Sequence, residues 1–319
     1  MQGTVLDGTN NFFTILCDDN IVRLCSLKGK VLKSDVRYYN ALAPGDIVEV
    51  AQDALDSHKG QITSLVPRKN EFVRWNIKKR CPQLLAANLD FIILVTTSDE
   101  PPFRPRFIDR ALMQAEAQNI TPVVVCNKCD LPSYSNKDFQ SRVKIWKDLG
   151  YTMLHVSAKT GEGLRAVAQL LENRTSAFVG QSGVGKSSLI NALAGSETLR
   201  TGTLSQKYDR GAHTTTKGTL NKIIINNLIS GKQDVRAAII DTPGIRRFVL
   251  HDIAAEDVAL YFREFSPIVG TCAFGMSCTH TNEDGCKILE AVHAGIITEE
   301  RYESWQRIKN EIATQSWED

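Results

Sequence analysis

The sequence contains no apolar run long enough to cross a membrane. Runs such as FIILV (91–95) fall far short of the roughly 20 apolar residues that a membrane helix needs. The N-terminal stretch MQGTVLDGTN also lacks the basic start and the apolar core of a secretory signal. We therefore expect a cytoplasmic location and no membrane partner.

Strong net charge, internal repeats and low-complexity segments are absent as well. The net charge is only +2, but the charge is distributed unevenly. Lys and Arg outnumber Asp and Glu by 25 to 14 in residues 73–247, whereas Asp and Glu outnumber them by 13 to 5 in residues 248–319. A basic central part is compatible with RNA as a partner. A phosphate-binding domain also needs positive charge, so charge alone does not decide between the two.

Disulfides are not expected, although the chain has eight cysteines, because a cytoplasmic protein rarely uses them. Cys126 and Cys129 spell C-x-x-C, which is a redox or zinc motif in other settings. No second pair lies at zinc-finger spacing, so we expect these two residues to pack at a strand end.

The length of 319 residues suits two or three domains. Short alternating segments in residues 1–72 predict five strands and a small all-β barrel of the OB-fold type. An SH3-like barrel has the same pattern. The basic segment 67–80 predicts a connector, with contact to nucleic acid as the alternative reading.

Strand and helix patterns then alternate through residues 73–247. The continuous apolar run LDFIILVTT (89–97) is typical of a strand that is buried on both faces of a parallel sheet. The alternation predicts a doubly wound α/β domain. After it, residues 248–319 predict an acidic, helical unit around a Cys/His cluster, with a helix over 301–312.

A phosphate-binding loop is predicted by GQSGVGKS (180–187), which lies between a predicted strand and a predicted helix. Glycines at such a turn let backbone N–H groups point at phosphates, and the helix N-terminus adds a favourable dipole. Lys186 should reach the β- and γ-phosphates, and Ser187 should ligate Mg²⁺. The predicted contacts are Gly180, Gln181, Ser182, Gly183, Val184, Gly185, Lys186, Ser187 and Ser188.

A guanine-reading motif, NKCD (127–130), precedes this loop in the chain. The Asp130 carboxylate can accept the N1–H and 2-amino protons of guanine, which adenine does not offer. The Lys128 stem can cover the base, and Asn127 can tie the loop to its neighbours. Ser157, Ala158 and Lys159 form a second motif after a strand, where the Ala158 N–H can meet guanine O6.

The sequence DTPG (241–244) ends another predicted strand. Asp241 should hold Mg²⁺ through water, and the Gly244 N–H should meet the γ-phosphate. Between this motif and the phosphate loop lies RGAHTTT (210–216), in which a threonine can join Mg²⁺ when the γ-phosphate is present. Thr215 is slightly favoured over its neighbours.

Ile245 stands where Ras-like enzymes place the glutamine that orients the attacking water. An isoleucine cannot do this, so hydrolysis should be slow unless another group acts. His213 is the nearest catalytic candidate in sequence. The alternative is that His213 is an exposed loop residue without a catalytic role.

Cys272, Cys278, His280 and Cys286 lie close together near the C-terminus. Three thiolates and one imidazole form a closed tetrahedral zinc set without an open catalytic position. An accidental grouping of reduced cysteines is the alternative.

With these residues assembled, the chain resembles the circularly permuted GTPases that depend on the small ribosomal subunit (the RsgA/YjeQ family). The resemblance spans nearly the whole chain and includes NKCD, SAK, GQSGVGKS, GAHTTT and DTPG in the family's order. It implies a GTPase that produces GDP and phosphate during late assembly of the small subunit. It further implies stimulation by that subunit, GTP or GDP with Mg²⁺, one structural Zn²⁺, and contact of the barrel and the zinc unit with ribosomal RNA. We expect a monomer.

Two positions depart from the family's pattern. Ala212 replaces an arginine of the switch motif, so no role of that arginine carries over. Five residues rather than four separate the first two zinc cysteines, which makes Cys272 the weakest of the expected ligands. Ile245 also leaves open a second function, an RNA-binding module gated by GTP with little turnover. A small-molecule phosphotransferase is a third reading, but no acceptor-binding domain is evident.

Overall fold

The fold is seen in a computed structural model. It describes residues 1–9, 11–27, 38–195, 218–226 and 234–317. No helix in these ranges is both long enough and apolar enough to span a membrane.

The N-terminal strands form a closed barrel in the order β1-β2-β3-β5-β4. β3 and β5 run parallel, and the other neighbours run antiparallel. Alternate residues such as Val5, Ile15, Val48 and Ile62 point into the barrel and are completely buried. The prediction of five strands in a Greek-key, OB-type barrel is confirmed. The strands are β1 (Gln2–Thr9), β2 (Phe12–Cys17), β3 (Val22–Leu27), β4 (Ile47–Gln52) and β5 (Lys59–Leu65).

A β-hairpin follows the barrel, made of β6 (Glu71–Asn76) and β7 (Cys81–Ala87). The reading of 67–80 as a connector was therefore wrong, and β7 was not predicted. The Lys and Arg residues around β6 obscured its strand pattern in the sequence. Phe72 of β6 is buried, and its ring centroid lies 5.5 Å from that of Phe248. The predicted domain boundary between residues 72 and 73 falls within β6, and it stays a prediction.

The central sheet has six strands in the order β10-β9-β8-β11-β13-β12. All neighbours are parallel except β12, which is antiparallel to β13. The carboxyl ends of β9, β10, β11 and β13 therefore share one edge of the sheet. The strands are β8 (Phe91–Thr97), β9 (Thr121–Asn127), β10 (Thr152–His155), β11 (Thr175–Gly180), β12 (Thr219–Asn226) and β13 (Asp234–Asp241).

Helices cover both faces of this sheet, as the continuous apolar run of β8 predicted. Ile92 and Leu94 face one core together with residues of the first two helices, whereas Ile93 and Val95 face a second core with residues of the next two. The doubly wound α/β prediction is confirmed. The helices are α1 (Pro105–Ala117), α2 (Lys137–Asp148), α3 (Leu164–Leu171) and α4 (Lys186–Ala194).

The C-terminal unit contains α5 (Lys287–His293), α6 (Glu299–Thr314) and short 3₁₀ turns. The side chain of Thr298 caps α6 by accepting a hydrogen bond from the Arg301 N–H. Trp305 and Ile308 on α6 belong to the same buried cluster as the sheet face under α1. The unit is thus packed directly onto the central α/β domain.

Buried ion pairs join α1 to this unit. The Asp109 carboxylate accepts hydrogen bonds from Trp146 Nε1 (2.8 Å) and Ser304 Oγ (2.6 Å) and pairs with Arg301. The next residue of α1, Arg110, pairs with Glu311 of α6, and both side chains are buried. Removing one partner of such a pair costs about 3–5 kcal/mol, because the other charge stays buried. The attachment of the C-terminal unit to α1 therefore depends on both partners of each pair being present.

Candidate nucleotide site and metal centre

Four predicted motifs meet at the carboxyl edge of the central sheet. The phosphate-loop sequence follows β11, DTPG follows β13, NKCD ends β9, and SAK follows β10. In open α/β sheets this edge is where ligands bind. The sheet therefore gathers motifs that are far apart in the chain.

Glycines allow the turn between β11 and α4 to form. Gly183 and Gly185 have φ of +87° and +91°, which favours glycine. A Cβ on Gly180 would lie 2.4 Å from the carbonyl oxygen of Val95, and one on Gly185 would lie 2.4 Å from Asn127 Nδ2. The backbone packs too closely at both places for any side chain. The α4 N-terminus thus opens toward the site, as in a phosphate-binding loop.

Lys186 begins α4, and its residue is only 7% exposed. Its Nζ donates to the carbonyl oxygens of Gly180 (3.0 Å) and Gln181 (3.2 Å). Burial lowers the pKa of Lys186, and Asp241 opposes that shift. A buried ammonium held by neutral carbonyls is suited to a phosphate, because an anion is a stronger partner.

Asn127 connects three of the motifs. Its Nδ2 donates to the carbonyl oxygen of Val184 in the phosphate loop at 2.9 Å, and its Oδ1 accepts from the Ala158 N–H at 3.2 Å. The side chain is buried. The expectation that Asn127 ties its loop to its neighbours agrees with these contacts. Because Ala158 N–H is bonded to Asn127 here, its contact with guanine stays a prediction.

Asp130 is exposed at the rim of the site. Ser157 Oγ donates to Asp130 Oδ1 at 2.6 Å, and this hydrogen bond lowers the pKa of Asp130. The group is therefore an ionised acceptor at neutral pH, as guanine recognition requires. Lys128 has a φ of +61° and donates to the carbonyl oxygen of Glu100, whereas Lys159 is exposed.

The DTPG segment lies against the phosphate loop. A Cβ on Gly244 would lie 2.9 Å from Ser182 Cα, and the Ile245 N–H donates to the Gly180 carbonyl oxygen at 3.1 Å. Ile245 itself is 3% exposed and belongs to the core under α1. Its side chain is thus directed away from solvent, which agrees with the expectation that it does not orient water.

The predicted magnesium ligands that the structure describes are adjacent. Ser187 Oγ donates to Asp241 Oδ2 at 3.1 Å. A hydroxyl and a carboxylate at this separation fit the oxygen ligands that Mg²⁺ prefers. Thr215, His213 and the rest of RGAHTTT (210–216) lie outside the described residues, so their roles stay predictions. Ser188 is exposed on the first turn of α4.

The four predicted zinc ligands come together in the C-terminal unit, and all are buried. Their ligand atoms lie within 4.8 Å of one another. Cys272 Sγ and Cys286 Sγ are 3.6 and 3.5 Å from His280 Nδ1, and 4.0 Å from each other. Tetrahedral zinc with three sulfur ligands and one nitrogen ligand separates its ligand atoms by about 3.5–3.8 Å. Cys272, the weakest expected ligand, fits the set, and the residues suit zinc.

Contacts around the cluster fix its geometry. The Lys287 N–H donates to Cys272 Sγ at 3.3 Å, and Tyr302 Oη donates to the His280 carbonyl oxygen at 2.7 Å. Such outer contacts orient the ligands of a metal site. Tyr302 lies on α6, so the cluster is joined to the helix that also carries Arg301 and Glu311.

Sequence reasoning missed the buried pairs around Asp109 and Arg110. Charged residues on an amphipathic helix are usually solvent-exposed, and no local signal distinguishes these two. Cys126 is buried at the end of β9, as predicted, and Cys129 is half-buried. Neither joins a metal-binding group in the described part of the chain.

Comparison with known proteins decides the family. The family described as RsgA GTPase matches residues 65–251. The chain belongs to the RsgA GTPase family. The resemblance noted from the motifs is confirmed, and so is the expectation of a GTPase that binds guanine nucleotides.

RsgA relatives match the chain along almost its whole length. The small ribosomal subunit biogenesis GTPase RsgA of Porphyromonas gingivalis is 38% identical over 311 residues, which cover 97% of this chain and 96% of the relative. The protein of the same name from Borreliella burgdorferi is 37% identical over 313 residues, covering 98% and 96%.

Solved structures agree with the fold. The crystal structure of YjeQ from Thermotoga maritima has a TM-score of 0.71 and 30% identity, and the match covers 98% of each chain. YloQ, described as a circularly permuted GTPase, has a TM-score of 0.67 and 23% identity, over 100% of this chain and 96% of its own. The latter likeness shows the fold alone.

We expect Asp130→Asn to lower the affinity for GTP at least about a hundredfold, because an amide cannot accept both guanine protons. Binding of XTP should improve, since the C2 oxygen of xanthine can accept from the new amide. Equilibrium titration with both nucleotides measures this. Asp148→Asn, an exposed change on α2, is the control and should alter neither affinity. GTP affinity equal to that of the wild type in Asp130→Asn would rule out the guanine assignment.

Proposed function

We propose that this RsgA-family GTPase hydrolyses GTP to GDP and phosphate as a late assembly factor of the small ribosomal subunit. The match of all three structural units to full-length relatives named small ribosomal subunit biogenesis GTPase carries the proposal. Its partners are the small subunit and its ribosomal RNA. It acts as a monomer in the cytoplasm.

Each side chain of the site has a part in this reaction. Asp130 reads the guanine edge, while Asn127 and Ser157 hold the reading loop in place. Lys186 exchanges its carbonyl partners for phosphate oxygens and stabilises negative charge that develops during transfer. Ser187 and Asp241 hold Mg²⁺, which neutralises charge on the β- and γ-phosphates. Thr215 completes the metal site from the switch segment when GTP is bound.

Ile245 is the reason that the subunit should stimulate the enzyme. Its buried side chain leaves this position without a group that orients the attacking water. His213, from the segment 210–216, supplies that group when the protein is bound to the subunit. Without the subunit, hydrolysis is slow.

We expect purified small subunits to raise the steady-state GTPase rate at least about tenfold, because ordering of a water-positioning group lowers the barrier. The rate is measured with and without subunits, and large subunits serve as the control. A subunit that changes nucleotide affinity but not the rate would support the RNA-binding module gated by GTP. That result would contradict the assembly GTPase.

The zinc cluster has a supporting part in hydrolysis. Cys272, Cys278, His280 and Cys286 hold one Zn²⁺, which cross-links the C-terminal unit. The three cysteines belong to the same buried cluster as Ile245 and Phe248, directly after DTPG. Zinc therefore stabilises the position of the DTPG segment through the packed core.

Chelating the zinc, or truncating the chain after residue 248, should lower GTP hydrolysis several-fold although every proposed nucleotide contact is retained. Hydrolysis is measured together with the affinity for GDP, and restoring Zn²⁺ to the chelated protein should recover the rate. Cys81→Ser, on β7 and outside both the cluster and the nucleotide motifs, is the control. Full activity in the truncated chain would refute the supporting role.

A further inference from the structure

We propose that an arginine-lined cavity beside the nucleotide site binds the phosphate backbone of RNA and connects that contact to the DTPG segment (241–244). This inference rests on the proposed function, because the RNA is that of the small ribosomal subunit. We call it the arginine cavity. It has a volume of about 330 Å³ and is lined by Arg104, Arg106, Arg110, Arg246 and Arg247 together with Phe103, Pro105 and Phe107.

The lining of the arginine cavity carries charge of one sign. Five of its residues are arginines, and none of the lining residues that the structure describes is acidic. Arg110 forms a buried pair with Glu311. Arg104 and Arg106 reach the cavity from the start of α1, and Arg246 and Arg247 reach it from the chain after DTPG. Guanidinium groups bind phosphate through paired hydrogen bonds.

The position of α1 adds to the positive potential. Arg104 is the N-cap residue, no side chain caps the helix, and its first turn contains no acidic residue. Negative charge stabilises a helix N-terminus and positive charge destabilises it. Arginines at this place therefore work against the stability of α1. An anion in the cavity would remove that conflict, as is expected where a sequence departs from the usual pattern at a functional site.

The chemistry of the lining favours backbone phosphates over bases. Phe107 is 4% exposed and packs against Phe248, and Phe103 packs edge-on against Phe139 with ring centroids 4.9 Å apart. Phe107 is buried and Phe103 is half-buried against Phe139 and Trp146, so the described lining lacks an exposed aromatic ring on which a base could stack. The cavity thus offers cations without a base-stacking platform, which suits sequence-independent contact.

Two segments that border the nucleotide site also border the cavity. The chain before α1 passes the Lys128 side chain at Glu100 and the phosphate loop at Pro101, whose Cδ would lie 3.5 Å from a Cβ on Gly183. It reaches the cavity at Phe103 and Arg104. On the other side, Arg246 follows Gly244 and Ile245, which contact the phosphate loop. A phosphate held between the segments would therefore restrain both.

The test measures binding of full-length protein to purified small subunits over a range of salt concentrations, with a non-hydrolysable GTP analogue present. The variants are Arg104→Ala with Arg106→Ala, and Arg246→Ala with Arg247→Ala. Each pair should weaken binding about tenfold or more at physiological salt. Each should also make the dependence of log K on log salt shallower by about one unit for every lost phosphate contact. Stimulation, expressed over each variant's own basal rate, should fall as well.

Arg174→Ala with Arg165→Ala removes the same charge from two exposed arginines of the central domain away from the cavity and should change binding less than twofold. Arg104→Lys with Arg106→Lys keeps the charge and should keep the salt dependence. Melting temperatures show whether each variant is folded. If a double variant does not fold, the single change Arg104→Ala, at an exposed residue, takes its place. Cavity variants that bind as the wild type does, or a control that is equally impaired, would overturn the proposal.

Naked ribosomal RNA of the small subunit separates RNA from protein as the occupant. The cavity variants should lose affinity for this RNA as they do for the subunit. Normal RNA binding beside weak subunit binding would identify a ribosomal protein and overturn the RNA assignment. A wild-type chain that subunits neither bind nor stimulate would refute the proposed function itself, and with it the cavity. Stimulated wild type beside unaffected cavity variants would refute the cavity alone.

Discussion

The carboxylate of Asp109 is buried between α1, α2 and α6, and the arrangement of the C-terminal half depends on its partners. It accepts from Trp146 and Ser304 and pairs with Arg301, so one side chain joins two GTPase helices to the unit that carries the cysteine cluster. A permuted chain needs such an attachment. The strand β13 and the DTPG segment come last in the GTPase domain, and a terminal segment of this kind would otherwise fray. Here the DTPG segment leads directly into the C-terminal unit. Buried ion pairs and apolar packing attach this unit to the domain, and the unit contains the cysteine cluster.

The loops of the nucleotide site are also joined to one another by specific contacts. Asn127 links the guanine motif to the phosphate loop and to the SAK segment, and the close approach of Gly244 to Ser182 joins the phosphate loop to the DTPG segment. The loops thus form one connected frame. Preorganised donors of this kind contribute most to catalysis by charge stabilisation. Permutation changed the order of the loops along the chain but not their meeting point at the sheet edge.

Much of this could be predicted from the sequence, because the signals were local. The run FIILV predicted a strand buried on two faces, and the spacing of glycines, Lys186 and Ser187 predicted the turn that carries them. The four residues of the cysteine cluster could be picked out as candidate zinc ligands from residue type and spacing, and the structure brings them together. The strand β6 was misread as a connector, because basic residues surround its buried Phe72, which packs on Phe248. Its partner β7 was not predicted. The Asp109 and Arg110 pairs could not be found, because they join residues about 200 positions apart (Asp109 to Ser304, for example), and no local pattern distinguishes a buried charge from an exposed one.

The central claim is that the buried carboxylate of Asp109 on α1 keeps the DTPG segment and the residues after it in place. Amide hydrogen exchange of residues 245–251 in the wild type and in Asp109→Asn tests it most directly. The substitution keeps the shape of the side chain but removes the negative charge that pairs with Arg301 and Arg142, so that Glu264 remains as the carboxylate partner of Arg301. We predict that exchange in this segment becomes about tenfold faster or more, as expected when local opening becomes easier by at least about 1.4 kcal/mol, while the barrel strands β1–β5 exchange as before. Unchanged exchange at residues 245–251 in a folded Asp109→Asn protein would contradict the account.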